Sequence, residues 1–421
     1  MQERRHHRAE LSLVGAPRQS VELDLLLLCA RWPLRREEDF RAIRDQAARR
    51  LDWQLFLRLA QHHRLVPMVS HQLQSCVREP RSPGQEAALA ELRRLSSANT
   101  YHALRSLAEL RRLVQEFHAQ GISSVRVLKG LPLAQSVFGD LSLRAAGDID
   151  LLIDETSILD ADRVLRGFGY RGLFQVERFS AKRLAFYGRH WKDIAYRHGE
   201  TGAEVDLHWR CFRNRAMPGN ALCATTASEY VSFGEFQVAT PPRMESLLYL
   251  CVHGTLDGWL YFKSLVDVGA QVRTMSGDEL DALTVLAMRY GVLPELTAAL
   301  TLVRRYLGLS HWSTHLLPES DPTVRHILGY ADRFLVEGHF MADREAVPIG
   351  TTLAFELGLR RDLRYRFELL LRVLFRARMW EMIRLPDFLF WLYPLFSPVE
   401  WVIFRMRERR AKAAPETGVG T

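Results

Sequence analysis

Two aspartates, Asp148 and Asp150, stand in Gly147-Asp148-Ile149-Asp150-Leu151-Leu152-Ile153, a run that alternates polar and apolar residues. Such alternation predicts a strand, and on a strand residues i and i+2 share a face. The two carboxylates then point the same way, while Ile149, Leu151 and Ile153 point into a core. Carboxylates side by side repel unless a cation sits between them, and Mg²⁺ suits one or two carboxylates completed by phosphate oxygens. The bland alternative is the polar edge of a half-exposed strand. Asp160 and Asp162 repeat the spacing in a helical pattern, where i and i+2 diverge by about 200° and cannot readily share an ion. A second acidic run, Glu204-Val205-Asp206-Leu207-His208-Trp209, sets Glu204, Asp206 and His208 on one face and its apolar residues on the other. Beside the first strand it would add a third carboxylate, Asp206. Three carboxylates can hold two Mg²⁺ ions about 3.5–4 Å apart, a clamp for in-line displacement at phosphorus.

Such chemistry also needs an anion cradle. Leu128-Lys129-Gly130 closes a short β-rich run, and Leu131-Pro132 opens a short helical one. Gly130 permits close backbone approach, Pro132 suits a first helical turn, and a helix N-terminus directs N–H groups at an anion. Lys129 and Arg144 are candidates to neutralise phosphate charge; the alternative is an ordinary turn. His253, Trp259, Lys263 and Asp267 form a second tier, on helical sequence expected to break at Gly254 and Gly258. Lys263 would approach a phosphate and His253 an acceptor, or the group braces helices against the sheet. His208 is expected to hydrogen-bond a metal carboxylate rather than to react. His62 and His63 read as helix-surface residues.

The elements that must position these residues follow from periodicity. Residues 20–118 read as a helical region: Trp53, Phe56, Leu57 and Ala60 recur at helical spacing, and a long amphipathic helix runs from about Glu86 to Gln120, ended by Gly121. Between 119 and 243 strand and helix patterns alternate, which marks an α+β core. From 244 to 408 the chain is helical again, and residues 1–19 and 409–421 are expected to be disordered. The Arg-rich run 360–380 reads as an amphipathic helix with a solvated basic face, with RNA binding as its functional alternative.

Composition agrees with a folded chain. Of 421 residues, 48% are hydrophobic and 25% charged, which excludes a disordered polymer. The balance of 57 basic against 49 acidic residues gives +8 and favours anionic partners such as nucleotides. Cys29, Cys76, Cys211, Cys223 and Cys251 show no C-x-x-C or zinc spacing, so thiols mostly buried or idle, in a reducing, cytoplasmic setting, are expected. Glu22 and Asp24 argue against a signal peptide, and three prolines, Asp387 and Glu400 interrupt the apolar stretch 386–404, so no transmembrane segment is expected.

Taken together, LKGLPLAQSVFGDLSLRAAGDIDLLID, a helix ending in GFGY, and VDLHW resemble the uncharacterised nucleotidyltransferase family of the polymerase-β-like superfamily. DWQLFLRLAQHHRLVPM, LLYLCVHGTLDGWLYFKSLVDV and LPDFLFWLYPLFSPVEW are similar to that family's outer segments, so the resemblance covers most of residues 40–405. It implies a mixed sheet flanked by large N- and C-terminal helical regions. It also implies Mg²⁺-dependent transfer of a nucleoside monophosphate from an NTP to an acceptor hydroxyl or phosphate, with Mn²⁺ as a substitute ion. Asp148, Asp150 and Asp206 would be the catalytic metal ligands. The superfamily's usual Gly-Ser phosphate-binding pair is replaced by Lys129-Gly130. The alternative on the same fold is a nucleotide- or protein-binding module without turnover. The acceptor is open between small molecule, peptide, protein and nucleic acid.

Overall fold

The computed structural model describes residues 20–224, 227–309, 315–335, 347 and 349–396. The expected disordered ends, and the last part of the apolar stretch after 396, lie outside these residues.

Five helices precede the sheet: α1 (Val21–Cys29), α2 (Glu37–Ala47), α3 (Trp53–His62), α4 (Val66–Cys76) and α5 (Pro83–Ala119). Their starts are written locally. The side chains of Ser20, Asp52 and Ser82 accept backbone N–H groups at the starts of α1, α3 and α5. Trp53, Phe56, Leu57 and Ala60 of α3 are buried, as their spacing predicts. Gly121, at φ +81°, follows the end of α5.

The sheet region holds β1 (Arg126–Val127), α6 (Leu131–Leu133), β2 (Ile149–Leu152), α7 (Ile158–Gly167), β3 (Tyr170–Gly172), α8 (Ala181–His190), β4 (Asp193–His198) and β5 (Glu204–His208). A two-stranded hairpin, β6 (Glu229–Phe233) and β7 (Phe236–Thr240), follows. The main sheet has the order β1-β2-β5-β4-β3 and is mixed: β2 and β5 run parallel, and the other pairs run antiparallel. Ile149, Leu151, Val205 and Leu207 enter the sheet's core with Ile194 and Tyr196, and α5 and α7 cover it with Leu110, Leu113, Phe117, Ala161 and Leu165. The alternating residues are left to face the other side.

Helices resume with α9 (Arg243–Leu256), α10 (Phe262–Val272), α11 (Gly277–Arg289), α12 (Leu293–Leu307), α13 (Pro322–Leu335), α14 (Ile349–Leu359), α15 (Leu363–Leu374) and α16 (Ala377–Met382). The helices before and after the sheet share one apolar cluster, in which Leu25, Phe56 and Val69 join Leu247, Leu265 and Leu300. The Arg-rich run is two helices rather than one, because the chain leaves helical geometry at Phe375. No helix among the described residues is long and apolar enough to cross a membrane.

Two further expectations are corrected. Cys211 and Cys223 are bonded as a disulfide instead of being idle thiols; Cys29, Cys76 and Cys251 are free and buried. The loop between the paired cysteines turns on Asn214 and Asn220, whose side chains bond backbone groups within it, and this brings the two sulfurs together.

The break expected at Gly254 is absent: α9 runs through it to Leu256, and the chain turns at Gly258, φ +69°, and Trp259, φ +52°. Gly254 serves packing instead. A Cβ there would lie 2.5 Å from the indole of Trp259. Gly254→Ala is therefore expected to lower stability by about 1–3 kcal/mol through overpacking, measurable as a drop in the urea midpoint. An unchanged midpoint would show that the indole moves freely.

Candidate active site

The parallel register of β2 and β5 sets Asp150 opposite Asp206 and Leu152 opposite His208. Asp148 lies just before β2, and Asp193 opens β4 across from His208. The strands thus gather four carboxylates and an imidazole on the face away from the α5–α7 core. Single ligand atoms of Asp150, Asp206 and His208 all lie within 4.8 Å of one another, an arrangement that can hold a metal ion.

Lys129, two residues past the end of β1, holds one side of this cluster. Its Nζ donates to Asp150 Oδ2 at 2.7 Å and lies 3.9 Å from Asp148 Oδ1. Burial alone would lower the Lys129 ammonium, but the Asp150 and Asp148 carboxylates outweigh it and hold the group well above its ordinary range. Burial would likewise raise Asp150, but Lys129 and His208 keep it far below the usual carboxylate range.

On the other side, Lys192 Nζ lies 3.3 Å from His208 Nδ1 and also donates to Asp193 Oδ2. Burial and the Lys192 charge lower the His208 imidazole, which favours the neutral ring. An ammonium only donates, so Nδ1 accepts and the ring proton sits on Nε2, 3.3 Å from Asp150 Oδ1. His208 therefore orients Asp150. Burial opposes ionisation of Asp193, yet Lys192 and His208 bring it down to about 2.

Asp206 differs from its neighbours: its carboxylate takes no hydrogen bond or ion pair from any described residue. Burial, then the charges of Asp148, Asp150 and Asp193, push it up to about 8. A carboxylate left unpaired among three others is the donor set that a divalent cation satisfies, so the residues present fit such an ion.

Among the phosphate-cradle candidates, Gly130 precedes a short helical run with Pro132 in its first turn, and Arg144 turns to α10. Gly130, at φ +84°, needs glycine's backbone freedom, and its carbonyl accepts from Ala134 N–H at 3.0 Å and from Arg144 Nη1 at 3.4 Å. The helix it opens, α6, is only three residues long and runs into a π-type turn, Ala134–Phe138. Arg144 is buried and donates twice to Asp267, Nε to Oδ1 and Nη2 to Oδ2, both at 2.8 Å. Its fork thus ties the loop before β2 to α10. Lys263 lies one turn ahead of Asp267 on α10. Burial first, then Arg144, pushes its ammonium down to about 7.

His253 pairs with a carboxylate on its own helix end. Its Nδ1 lies 3.1 Å from Asp257 Oδ2, one turn on. Tyr249, one turn before His253, is buried with no hydrogen-bond partner for its hydroxyl among the described residues, and lies within electrostatic reach of Lys129 and Asp150. His63 is fully buried, which corrects its expected place on a helix surface: its Nδ1 accepts from Phe262 N–H at the start of α10, at 3.4 Å.

Lys192, Asp193 and Tyr249 were not singled out in the sequence. For Lys192 and Asp193 a signal exists, because WKDIAYRH reads as a strand and carries a charged pair near its start. Tyr249 lies inside an apolar helix and carries no such mark.

The sequence profile of a family described as an uncharacterised nucleotidyltransferase matches residues 49–308. The chain belongs to this family. The matched span holds all four carboxylates, Lys129 and the helix carrying Lys263 and Asp267. The mixed sheet with its surrounding helices agrees with the α+β nucleotidyltransferase fold. No curated protein and no solved structure matches the chain.

Proposed function

We propose that the protein is a metal-dependent nucleotidyltransferase that moves a nucleoside monophosphate from an NTP to an acceptor hydroxyl or phosphate. The unpaired Asp206 carboxylate, facing Asp148 and Asp150 across parallel strands, is the observation that carries this reading. Mg²⁺, as two ions, is the cation proposed for Asp148, Asp150 and Asp206, with Mn²⁺ able to replace it. Such ions supply Lewis-acid charge at the α-phosphate and favour ionisation of the acceptor.

The chain's own groups complete the reaction. The acceptor oxygen attacks the α-phosphorus, the bond to the bridging oxygen breaks, pyrophosphate departs, and the hydroxyl proton passes to Asp206. Lys129 and His208 hold Asp150 in one orientation, and Arg144 fixes the loop that carries Asp148. Gly130 and Lys263 face the phosphate chain in this scheme, and His253, through Asp257, stands toward the acceptor side.

The direct test is incubation with α-labelled NTPs, Mg²⁺ and a cell lysate. Label is expected in a discrete acceptor, and its absence with all four NTPs would count against transfer. Calorimetry with Mn²⁺ gives an independent check: wild type should bind the ion, and Asp206→Asn should bind it at least about tenfold more weakly, the cost typical of disturbing a metal site. Equal affinity would place the ion elsewhere.

A second reading, a nucleotide-binding module without turnover, is favoured by one observation. Lys129 already supplies a cation to Asp150 and Asp148. NTP binding in the calorimeter with no transfer in any lysate would select it.

A further inference from the structure

The joint between α3 and α10 carries cations that the carboxylate cluster does not use. Phe262 N–H donates to His63 Nδ1 at 3.4 Å, and Lys263 N–H donates to the His63 carbonyl at 3.3 Å. These bonds hold the next residue, Arg64, beside the start of α10. Arg64 sits at φ +57°, a region that residues with a Cβ avoid. Its guanidinium lies 4.5 Å from the centre of the Tyr261 ring and has no carboxylate partner among the described residues.

Arg64, Arg144 and Lys263 line one cleft together with Asp267, Leu65 and Ala145. Asp267 is the one carboxylate in that lining, and both of its oxygens are taken by Arg144. Lys263 Nζ has no hydrogen bond or ion pair among the described residues. The cleft therefore holds three cationic side chains and one carboxylate, an excess of two positive charges when Lys263 is protonated. Burial first, and then the charges of Arg144 and Arg64, lower the Lys263 ammonium, and Asp267 only partly offsets them.

We propose that this cleft is an anion subsite for the terminal phosphates of the nucleoside triphosphate, with Arg64 and Lys263 as its ligands. The identity of the anion rests on the nucleotidyl-transfer reading; the existence of the subsite does not. A guanidinium fork matches two phosphate oxygens, and an ammonium offers three donors to a third. The Tyr261 ring keeps the guanidinium in place before the anion arrives. The positive φ of Arg64 belongs to the turn that ends α3, where Leu65 N–H returns to the Ala60 carbonyl and Arg64 N–H to that of Gln61.

The placement suits a nucleotide lying across the sheet edge. Arg144 and Ala145 line this cleft and also the neighbouring one formed by Lys129, Gly130 and Asp148. One loop thus separates the cationic cleft from the carboxylates. Lys129 and Arg144 are each engaged by an aspartate, so the triphosphate's free cations come from the helices on either side of the sheet region.

The experiment is calorimetric titration of the whole protein with inorganic pyrophosphate, using wild type, Arg64→Gly and Lys263→Met. Glycine adopts the Arg64 backbone conformation freely, so Arg64→Gly removes the cation without adding strain and should unfold no earlier than wild type. Pyrophosphate is expected to bind wild type and to bind each variant at least tenfold more weakly. No binding to wild type, or equal binding to all three proteins, overturns the subsite. A parallel titration with the four NTPs and Mn²⁺ separates the two levels. If pyrophosphate binding depends on both residues while no NTP binds, the subsite stands and the nucleotide reading falls. If NTPs bind equally to all three proteins, the subsite falls and the nucleotide reading stands.

Discussion

Asparagine in place of Asp206 is expected to lower transfer at least about 10³-fold while making the folded protein more stable. Removing one metal carboxylate forfeits several kcal/mol of transition-state charge stabilisation, and each 1.36 kcal/mol is tenfold in rate. The stability gain has a separate cause. Asp206 is partly buried beside Asp148, Asp150 and Asp193 and has no partner among the described residues, so its charge opposes folding at neutral pH. The sign follows from the raised value of about 8: the group ionises more readily in the unfolded chain, so its contribution becomes more unfavourable as pH rises from the ordinary carboxylate range toward 8. A neutral amide should raise metal-free stability by on the order of 1 kcal/mol or more at pH 7. Label transfer from NTP and urea unfolding in a chelator read the two effects.

Asp148→Asn should show the same loss of transfer with nearly unchanged stability. Its side chain is 38% exposed and its contact with Lys129 is a long one of 3.9 Å. Asp150→Asn is the less clean variant, because it also strips Lys129 and His208 of a partner. If Asp206→Asn and Asp148→Asn both keep full activity, the metal-carboxylate assignment is wrong.

The second large effect is structural. Asp267→Ala leaves the Arg144 guanidinium buried with no carboxylate, in a cleft that already contains Lys263 and Arg64. Losing one partner of a buried pair costs about 3–5 kcal/mol, much of it the penalty of the stranded charge. The expected result is a urea midpoint lowered by that cost divided by the slope of unfolding free energy against urea. The double variant Arg144→Met with Asp267→Leu should recover most of it, since removing both charges leaves nothing unpaired. Transfer should stay impaired in the double variant, because the loop before Asp148 is then tied to α10 only by apolar contact. A double variant no more stable than Asp267→Ala would show that the cost lies in packing.

Within the acidic centre, much was legible from residue order. Alternation in DIDLLI and EVDLH fixes which side chains share a face, because the strand period of two is a local property of the backbone. Gly121, Gly130 and Pro132 mark turns and helix starts by their own steric rules. The role of Gly254 was not legible, since a glycine in a helical run signals equally a break or a close neighbour. Only the position of the Trp259 ring decides between them.

The sequence by itself determined the two acidic strand faces, the helical character of the flanks and the kinship of the chain, all of which depend on neighbours along the chain. Tertiary structure decided the rest. The parallel pairing of β2 with β5 made Asp206 the partner of Asp150, and the approach of Asp267 occupied Arg144. The contact of α10 with His63 placed Arg64 beside Lys263. Charge–charge energies depend on distance through space and on the water removed between groups, and neither quantity is encoded in spacing along the chain.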